Sequence, residues 1–100
     1  MYELEWSEEA KADIRRVSAF ARRPVMRATE ELRARAESET RNRKPLREPL
    51  EDLPEATREV RVGNLRVFYR ISHGQTAPIL RVIFKGVRTT REAVAKGKKP

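Results

Sequence analysis

The sequence predicts an α+β fold, in which an N-terminal strand and a helical hairpin pack on a small antiparallel sheet, followed by a short C-terminal helix. Apolar residues recur at helical spacing between residues 10 and 36, and they alternate with polar residues from residue 58 onward. Helices that precede a run of strands are typical of the α+β class.

The composition favours one small, highly charged domain. The chain has 100 residues, of which 38% are hydrophobic and 38% are charged, so we expect a thin core. The sequence contains no cysteine, which excludes disulfides and thiolate chemistry. No signal-peptide pattern and no apolar run of membrane-spanning length is present, so the predicted location is the cytoplasm.

The net charge of +8 is unevenly distributed. Residues 1–57 carry 12 Lys and Arg against 13 Asp and Glu, whereas residues 58–100 carry 11 against 2. A one-sided positive field favours anionic partners, namely nucleic acid, an acidic protein or a membrane surface. A basic surface that serves only solubility is the alternative, and it would be spread along the chain.

The N-terminal third predicts one strand and two helices. Residues 2–6 alternate apolar and acidic side chains, and Ser7 is suited to cap the first helix. We expect that helix to end near Arg23, because Pro24 ends a helix or opens the next one. The apolar stripes of the two helices are Ala10, Ile14, Val17 and Ala21, then Val25, Ala28, Leu32 and Ala36.

Residues 37–57 predict a long loop. Three prolines, Pro45, Pro49 and Pro54, forbid a continuous helix. Three leucines are expected to hold the loop against the core, namely Leu46, Leu50 and Leu53. Four basic residues make the loop a candidate phosphate-binding segment, although a solvated linker is an equally good interpretation: Arg41, Arg43, Lys44 and Arg47.

Residues 58–71 predict a β-hairpin with a two-residue turn at Gly63-Asn64. This turn places Arg61 opposite Arg66, on the same face as Arg70. The other face is predicted to be buried, and it comprises Val60, Val62, Leu65, Val67, Tyr69 and Ile71. Two directly opposed arginines cost stability, so their presence points to an anionic ligand such as polyphosphate.

A third strand is predicted at residues 79–85. Leu80, Val82 and Phe84 are its expected core face, which places Arg81 and Lys85 with the other arginines. The capping-box pattern at residues 89–92 predicts a short helix. Residues 96–100 are a basic tail that we expect to be disordered, so the predicted domain spans residues 1–95. His73, the single histidine, is expected to be exposed, and no metal site is predicted.

Several segments resemble the RelE/ParE superfamily of type II toxins. They are the Trp6-Ser7 opening, the helix pair, Leu46 to Leu53, Val60 to Ile71 and Leu80 to Thr90. Leu65 stands where the family usually has an aromatic residue. The resemblance implies a RelE-like fold, no cofactor, and a toxin that a cognate acidic antitoxin holds inactive.

The resemblance implies one of two activities. RelE-like members cleave mRNA at the ribosome without metal, and ParE-like members act on DNA gyrase. The basic face favours the first activity, so the expected function is a ribosome-dependent mRNA endoribonuclease that inhibits translation. The alternatives are a non-enzymatic ParE-like toxin that binds a protein target such as gyrase, and an inactive antitoxin-binding relative.

Arginines carry the expected cleavage site. By resemblance, Arg66 and Arg88 match catalytic arginines of RelE-like relatives, and we expect Arg61 beside them. Arginine is always protonated and binds phosphate through its planar fork, so it suits stabilisation of the phosphorane. The expected RNA contacts are Lys85, Arg81, Arg70, Arg91, Arg43 and Lys44.

The site departs from the RelE-like pattern at two positions. Val94 stands at the family's tyrosine position, and Glu59 at one of its strand lysines. Glu59 is the remaining candidate general base, with Phe68 directly opposite it, whereas Tyr69 is expected in the core. The alternative for the arginines is that Arg61 and Arg66 pair with Glu59 or with helix acids.

Overall fold

The computed structural model describes residues 1–84. The elements are β1 (Glu3–Trp6), α1 (Glu8–Arg15), α2 (Ala19–Arg35), β2 (Arg43–Pro45), β3 (Arg58–Val62), β4 (Leu65–Tyr69) and β5 (Thr76–Phe84). They form a sheet of order β1-β5-β4-β3-β2. The α+β class is confirmed, but the sheet is mixed, because β1 runs parallel to β5. The predicted C-terminal helix, the basic tail and the domain boundary at residue 95 lie outside the described residues.

The hairpin of β3 and β4 has the predicted register. Val62 pairs with Leu65, and Arg61 pairs with Arg66. Gly63 has a φ of 57°, and Gln75 is the only non-glycine residue with positive φ in residues 1–84. Positive φ at the first central position alone matches a type II′ turn, which suits the twist of a hairpin.

A serine caps the N-terminus of each helix, and the break between the helices differs from the prediction. Ser7 caps α1 as expected, since its Oγ accepts a hydrogen bond from the Ala10 amide at 3.0 Å. The prediction that the first helix extends to Arg23 was wrong. Ser18 caps α2 by accepting from the Ala21 amide at 3.2 Å, so Pro24 lies inside α2. Pro24 is in the second turn, where its missing N–H removes a single helical hydrogen bond.

The main core lies between the helices and one face of the sheet. The six hairpin residues predicted to be buried all belong to this core or pack against it, so that prediction is confirmed. The helices contribute Ala10, Val25 and Leu32, and the residues that flank them contribute Val17, between α1 and α2, and Ala36, the C-cap of α2.

A second apolar cluster covers part of the opposite face of the sheet. Its buried residues are Ala56, Phe68 and Ile83, and the partly buried leucines packed on them are Leu46, Leu50, Leu53 and Leu80. The loop leucines therefore hold the loop as predicted. The loop covers the face that carries Arg61 and Arg66, so that face is less open than the sequence indicated.

The prediction that Leu80, Val82 and Phe84 share the core face of β5 was wrong. Leu80 packs in the second cluster instead of sharing the main core with Val82, and Phe84 is 54% exposed. The pairing of β4 with β5 shifts register between Phe68 and Tyr69. Such a bulge reverses the inward and outward alternation, and its position cannot be read from alternation alone.

Within residues 1–84, no helix is long and apolar enough to cross a membrane. The same part of the chain contains no group of three or more His, Cys, Asp or Glu side chains arranged to hold a metal ion.

Candidate functional site

Arg61 and Arg66 line a cavity of about 520 Å³ on the face of the sheet away from the helices. We call it the Arg66 cleft, and its charged lining residues are Glu39, Lys44, Arg47, Glu48, Glu59, Arg61 and Arg66. Alternation along the hairpin places Glu59, Arg61 and Arg66 here, because Val60, Val62 and Val67 face the main core. Arg61 and Arg66 therefore share one face, as the hairpin register predicted, and Lys44 of β2 lines the same cleft.

Glu59 lies between the two opposed arginines. It is only 4% exposed, and its Oε1 accepts a hydrogen bond from Arg66 Nε at 2.9 Å. Its Oε2 is 3.7 Å from Arg61 Nη2. The pairing of both arginines with Glu59, which the sequence left as an alternative, is what the structure shows. This carboxylate offsets the repulsion that opposed arginines would otherwise produce.

Arg66 is further held by Phe68. The guanidinium carbon of Arg66 is 4.8 Å from the centroid of the Phe68 ring, within the range of a cation–π interaction. Phe68 is fully buried in the second cluster. A rigid ring below and a carboxylate beside the guanidinium fix its orientation in the cleft.

The cleft is less basic than the sequence suggested. Its four basic residues are accompanied by three acids, two of which, Glu39 and Glu48, come from the loop. Residues 85–100 carry six Lys and Arg against one Glu, so most of the net positive charge lies outside the described residues. The predicted site residues Lys85, Arg88 and Arg91, and the departure at Val94, also lie there.

Arg70 and Arg81 are not part of the cleft. Arg70 follows β4, four residues beyond Arg66 and therefore about 13 Å along the strand, with Phe68 between them. Arg81 Nε and Nη2 donate to both oxygens of Asp13, at 2.7 and 3.0 Å. This hydrogen bonding to Asp13 is the main reason that the pKa of Arg81 is raised, although burial opposes it. An intramolecular carboxylate thus occupies the Arg81 group that was predicted to bind RNA.

Asp13 closes one edge of the sheet. It is 8% exposed, and its Oδ2 also accepts the Val82 amide at 2.8 Å. β1 pairs with β5 only as far as Ile79, so α1 covers the edge beyond it. The sequence contains a signal for this role, because Asp13 lies between Ala10 and Val17 on the apolar side of α1.

Arg43 also has a structural position. It is 5% exposed and belongs to β2, which the sequence analysis assigned to the loop. Arg43 Nε donates to the carbonyl of residue 38 at 2.9 Å. Arg58 Nη2 donates to the carbonyl of residue 37 at 3.0 Å, and the Tyr69 hydroxyl donates to that of residue 36 at 2.8 Å. These donors satisfy the carbonyl of the C-cap residue of α2 and those of the two residues that follow it. The structure therefore separates Arg43, on the helix side, from Lys44 in the cleft.

Comparison with known families identifies the chain. The model of the ParE toxin of the type II toxin–antitoxin system parDE matches residues 4–85. The chain belongs to the ParE toxin family. It is thus a toxin of the RelE/ParE superfamily, as the resemblance indicated.

Solved structures similar to this ParE-family toxin come from both branches of the superfamily. The isolated RelE toxin of E. coli is 16% identical, covers 98% of both chains and has a TM-score of 0.66. The ParDE system of P. aeruginosa is 15% identical, covering 85% of this chain and 97% of that chain, with a TM-score of 0.63.

The RelBE2 toxin–antitoxin complex of Mycobacterium tuberculosis is 28% identical, with 84% of this chain and 98% of that chain covered and a TM-score of 0.55. No curated protein matches the sequence. Because RelE and ParE structures share this fold, the fold does not distinguish RNA cleavage from an action on gyrase.

Proposed function

We propose that this toxin is a ribosome-dependent, metal-free mRNA endoribonuclease that acts in the cytoplasm. The supporting observation is the contact of Glu59 with Arg61 and Arg66 inside one cleft. Guanidinium groups can bind the scissile phosphate and stabilise its developing charge, and a carboxylate can accept a proton. Action at the ribosome follows from the resemblance to RelE-like enzymes.

In the proposed reaction, Arg66 and Arg61 hold the phosphate, and Arg88 is assigned to the same role only by the resemblance to RelE-like enzymes. Glu59 accepts the proton of the 2′-hydroxyl, whose oxygen attacks the phosphorus. The bond from phosphorus to the 5′-oxygen breaks, and that oxygen takes a proton from water. The products are a 2′,3′-cyclic phosphate and a 5′-hydroxyl. Arginine supplies charge stabilisation only, because a guanidinium stays protonated near neutral pH and so cannot accept the proton of the 2′-hydroxyl.

We propose a cognate acidic antitoxin as the partner that inhibits the toxin. Solved RelBE and ParDE systems with similar toxin folds support this proposal. Of the two arginines that contact Glu59, Arg61 is the more exposed, with 41% of its side chain accessible against 16% for Arg66. Arg61→Glu should weaken the complex and reduce its salt sensitivity, and unchanged affinity in a titration would contradict this role.

A second candidate function is a non-enzymatic toxin that binds a protein target such as DNA gyrase. Two observations favour it. The matching family model is that of ParE toxins. In addition, Glu59 already neutralises Arg66, and an arginine engaged in this way is less available to a phosphate.

The two functions can be separated by assaying the same preparations for mRNA cleavage and gyrase inhibition. Toxin is added to translating ribosomes, and the 5′ ends of the message are mapped by primer extension. The nuclease proposal expects cleavage by the wild type and its loss in Arg66→Ala and Arg88→Ala. Arg27→Ala, an exposed change on α2, is the matched control and should cleave normally. An intact message together with inhibited gyrase would refute the nuclease proposal.

A further inference from the structure

A second basic groove lies on the other side of β2 from the Arg66 cleft. This cavity of about 580 Å³ runs between α2 and the β2–β3 edge of the sheet. We call it the α2 groove, and its charged lining residues are Glu31, Arg35, Arg43 and Arg61. Alternation along β2 explains the separation, since Arg43 lines the α2 groove and Lys44 lines the Arg66 cleft.

Arg61 is the residue that lines both cavities. β2 pairs with β3 only from Arg58 to Val60, so Arg61 lies just past the start of β2. The Asn42 carbonyl accepts the Arg61 amide at 2.7 Å, which fixes the loop to β3 at this point. The two cavities are therefore adjacent at the edge of the sheet, with a half-exposed guanidinium between them.

The groups in the α2 groove suit a polyanion. The groove has three arginines against one acid, and two of the arginines, Arg35 and Arg61, are accessible, whereas Arg43 is 5% exposed. The Arg66 cleft has four basic residues against three acids. The bond from Arg43 Nε to the Ser38 carbonyl, at 2.9 Å, holds one of these guanidinium groups in place. Thr40 and Asn42 add neutral polar groups that can bond to sugar and phosphate oxygens.

We propose that an RNA strand bound in the Arg66 cleft passes Arg61 and continues into the α2 groove, where Arg35 and Asn42 contact its backbone. This inference rests on the proposed function, because it extends the path of the same substrate. Contacts of this kind are independent of base sequence and depend on salt. The α2 groove would then hold nucleotides outside the cleavage position and contribute to affinity.

The test compares two lengths of RNA, a trinucleotide and a decanucleotide, both 2′-O-methylated throughout so that 2′-hydroxyl attack cannot occur. Binding to the isolated toxin is measured by fluorescence anisotropy at several salt concentrations. The variants are Arg35→Gln in the groove, Arg66→Ala in the cleft and Arg27→Gln as the matched control. Arg27 is exposed on the same helix but does not line the groove.

We expect Arg35→Gln to weaken decanucleotide binding about fivefold and to lower the salt slope by about one, with Arg27→Gln unchanged. The trinucleotide is chosen to occupy the cleft without extending through the groove, so it should bind Arg35→Gln and the wild type equally. Glu31→Gln should strengthen decanucleotide binding, because it removes the one acid of the groove.

Four outcomes would overturn the inference. If Arg35→Gln and Arg27→Gln have equal effects, Arg35 contributes only through the general surface charge, and the groove is not a binding site. If Arg35→Gln weakens the binding of both RNA lengths, the α2 groove does not serve specifically to bind the part of a longer RNA that extends beyond the cleft. If Arg66→Ala weakens binding and Arg35→Gln does not, RNA binding in the α2 groove is refuted, and the proposed function remains supported. If neither variant weakens binding, the RNA-binding face itself is refuted.

Discussion

Glu59 bonds to Arg66 at 2.9 Å, although the residue directly across the sheet from Glu59 is Phe68. The contact is therefore diagonal. It places the Glu59 carboxylate between Arg61 and Arg66, where two opposed arginines would otherwise attract an external anion. Glu59 is buried, and its carboxylate is bonded to the Arg66 guanidinium, which is the group that would bind the phosphate in the proposed enzyme. A substrate phosphate must compete with it, and a carboxylate released from Arg66 is free to accept the 2′-hydroxyl proton.

The variant Glu59→Gln tests both roles of this carboxylate. The affinity for a 2′-O-methylated RNA should rise about tenfold, because a negative charge is removed beside the phosphate. Cleavage on the ribosome should fall about 100-fold or more if Glu59 is the general base. Anisotropy and primer extension measure the two effects. Glu48→Gln, an exposed acid of the same cleft, is the control and should cleave normally; full cleavage by Glu59→Gln would exclude Glu59 as the base.

Asp13 tests whether the contact of α1 with β5 stabilises the fold. Asp13→Asn should lower the free energy of unfolding by about 2–4 kcal/mol, because the buried charge partner of Arg81 is lost and the donors beside it are less well satisfied. Urea denaturation measures this change. Glu30→Gln removes an exposed pair with Arg33 and should cost at most about 0.5 kcal/mol. Similar unfolding midpoints for the two variants would show that the edge contact is dispensable.

Tyr69 gives the fold a measurable sensitivity to alkali. Burial is the main cause that raises the pKa of Tyr69 above 10.0, while Arg58 lowers it. The unfolded chain then loses the phenolic proton first. The resulting stabilisation is fully present below pH ~10 and is lost as the pH rises through the higher pKa of the folded state.

Tyr69→Phe should therefore be less stable than the wild type near neutral pH, by about 1–2 kcal/mol, because the carbonyl of Ala36 loses its donor. The difference in unfolding free energy between the two proteins should shrink above pH ~10, where only the wild type can ionise this group. Urea denaturation across this range measures it. A difference that stays constant with pH would show that ionisation of Tyr69 does not contribute.

The features that the sequence predicted well are those fixed by neighbouring residues. Gly63-Asn64 sets a two-residue turn, and that turn alone determines that Arg61 lies opposite Arg66. Ser7 caps α1 through an amide three residues away. In both cases the partner lies within a few positions of the chain, so spacing specifies the contact.

The features that the sequence did not predict depend on distant partners. β2 has three residues and no apolar alternation, and it exists because Arg43 pairs with Val60. Asp13 meets Arg81 across 68 positions, and the bulge beside Phe68 depends on how β5 pairs with β4. The composition of the Arg66 cleft was misjudged for the same reason, since loop acids reach it only in the folded chain.

Phe68 tests whether the orientation of Arg66 matters for cleavage. Phe68→Leu keeps most of the apolar volume of the second cluster but removes the ring beneath the guanidinium, an interaction of about 1 kcal/mol. Cleavage should fall several-fold with a smaller change in RNA affinity, because orientation counts most in the transition state. Some stability is lost with any such core change, so Leu53→Val in the same cluster is the control. It should lose stability and keep its cleavage rate. If both variants lose cleavage in proportion to their stability, the ring serves the core alone and the orientation of Arg66 is set by Glu59.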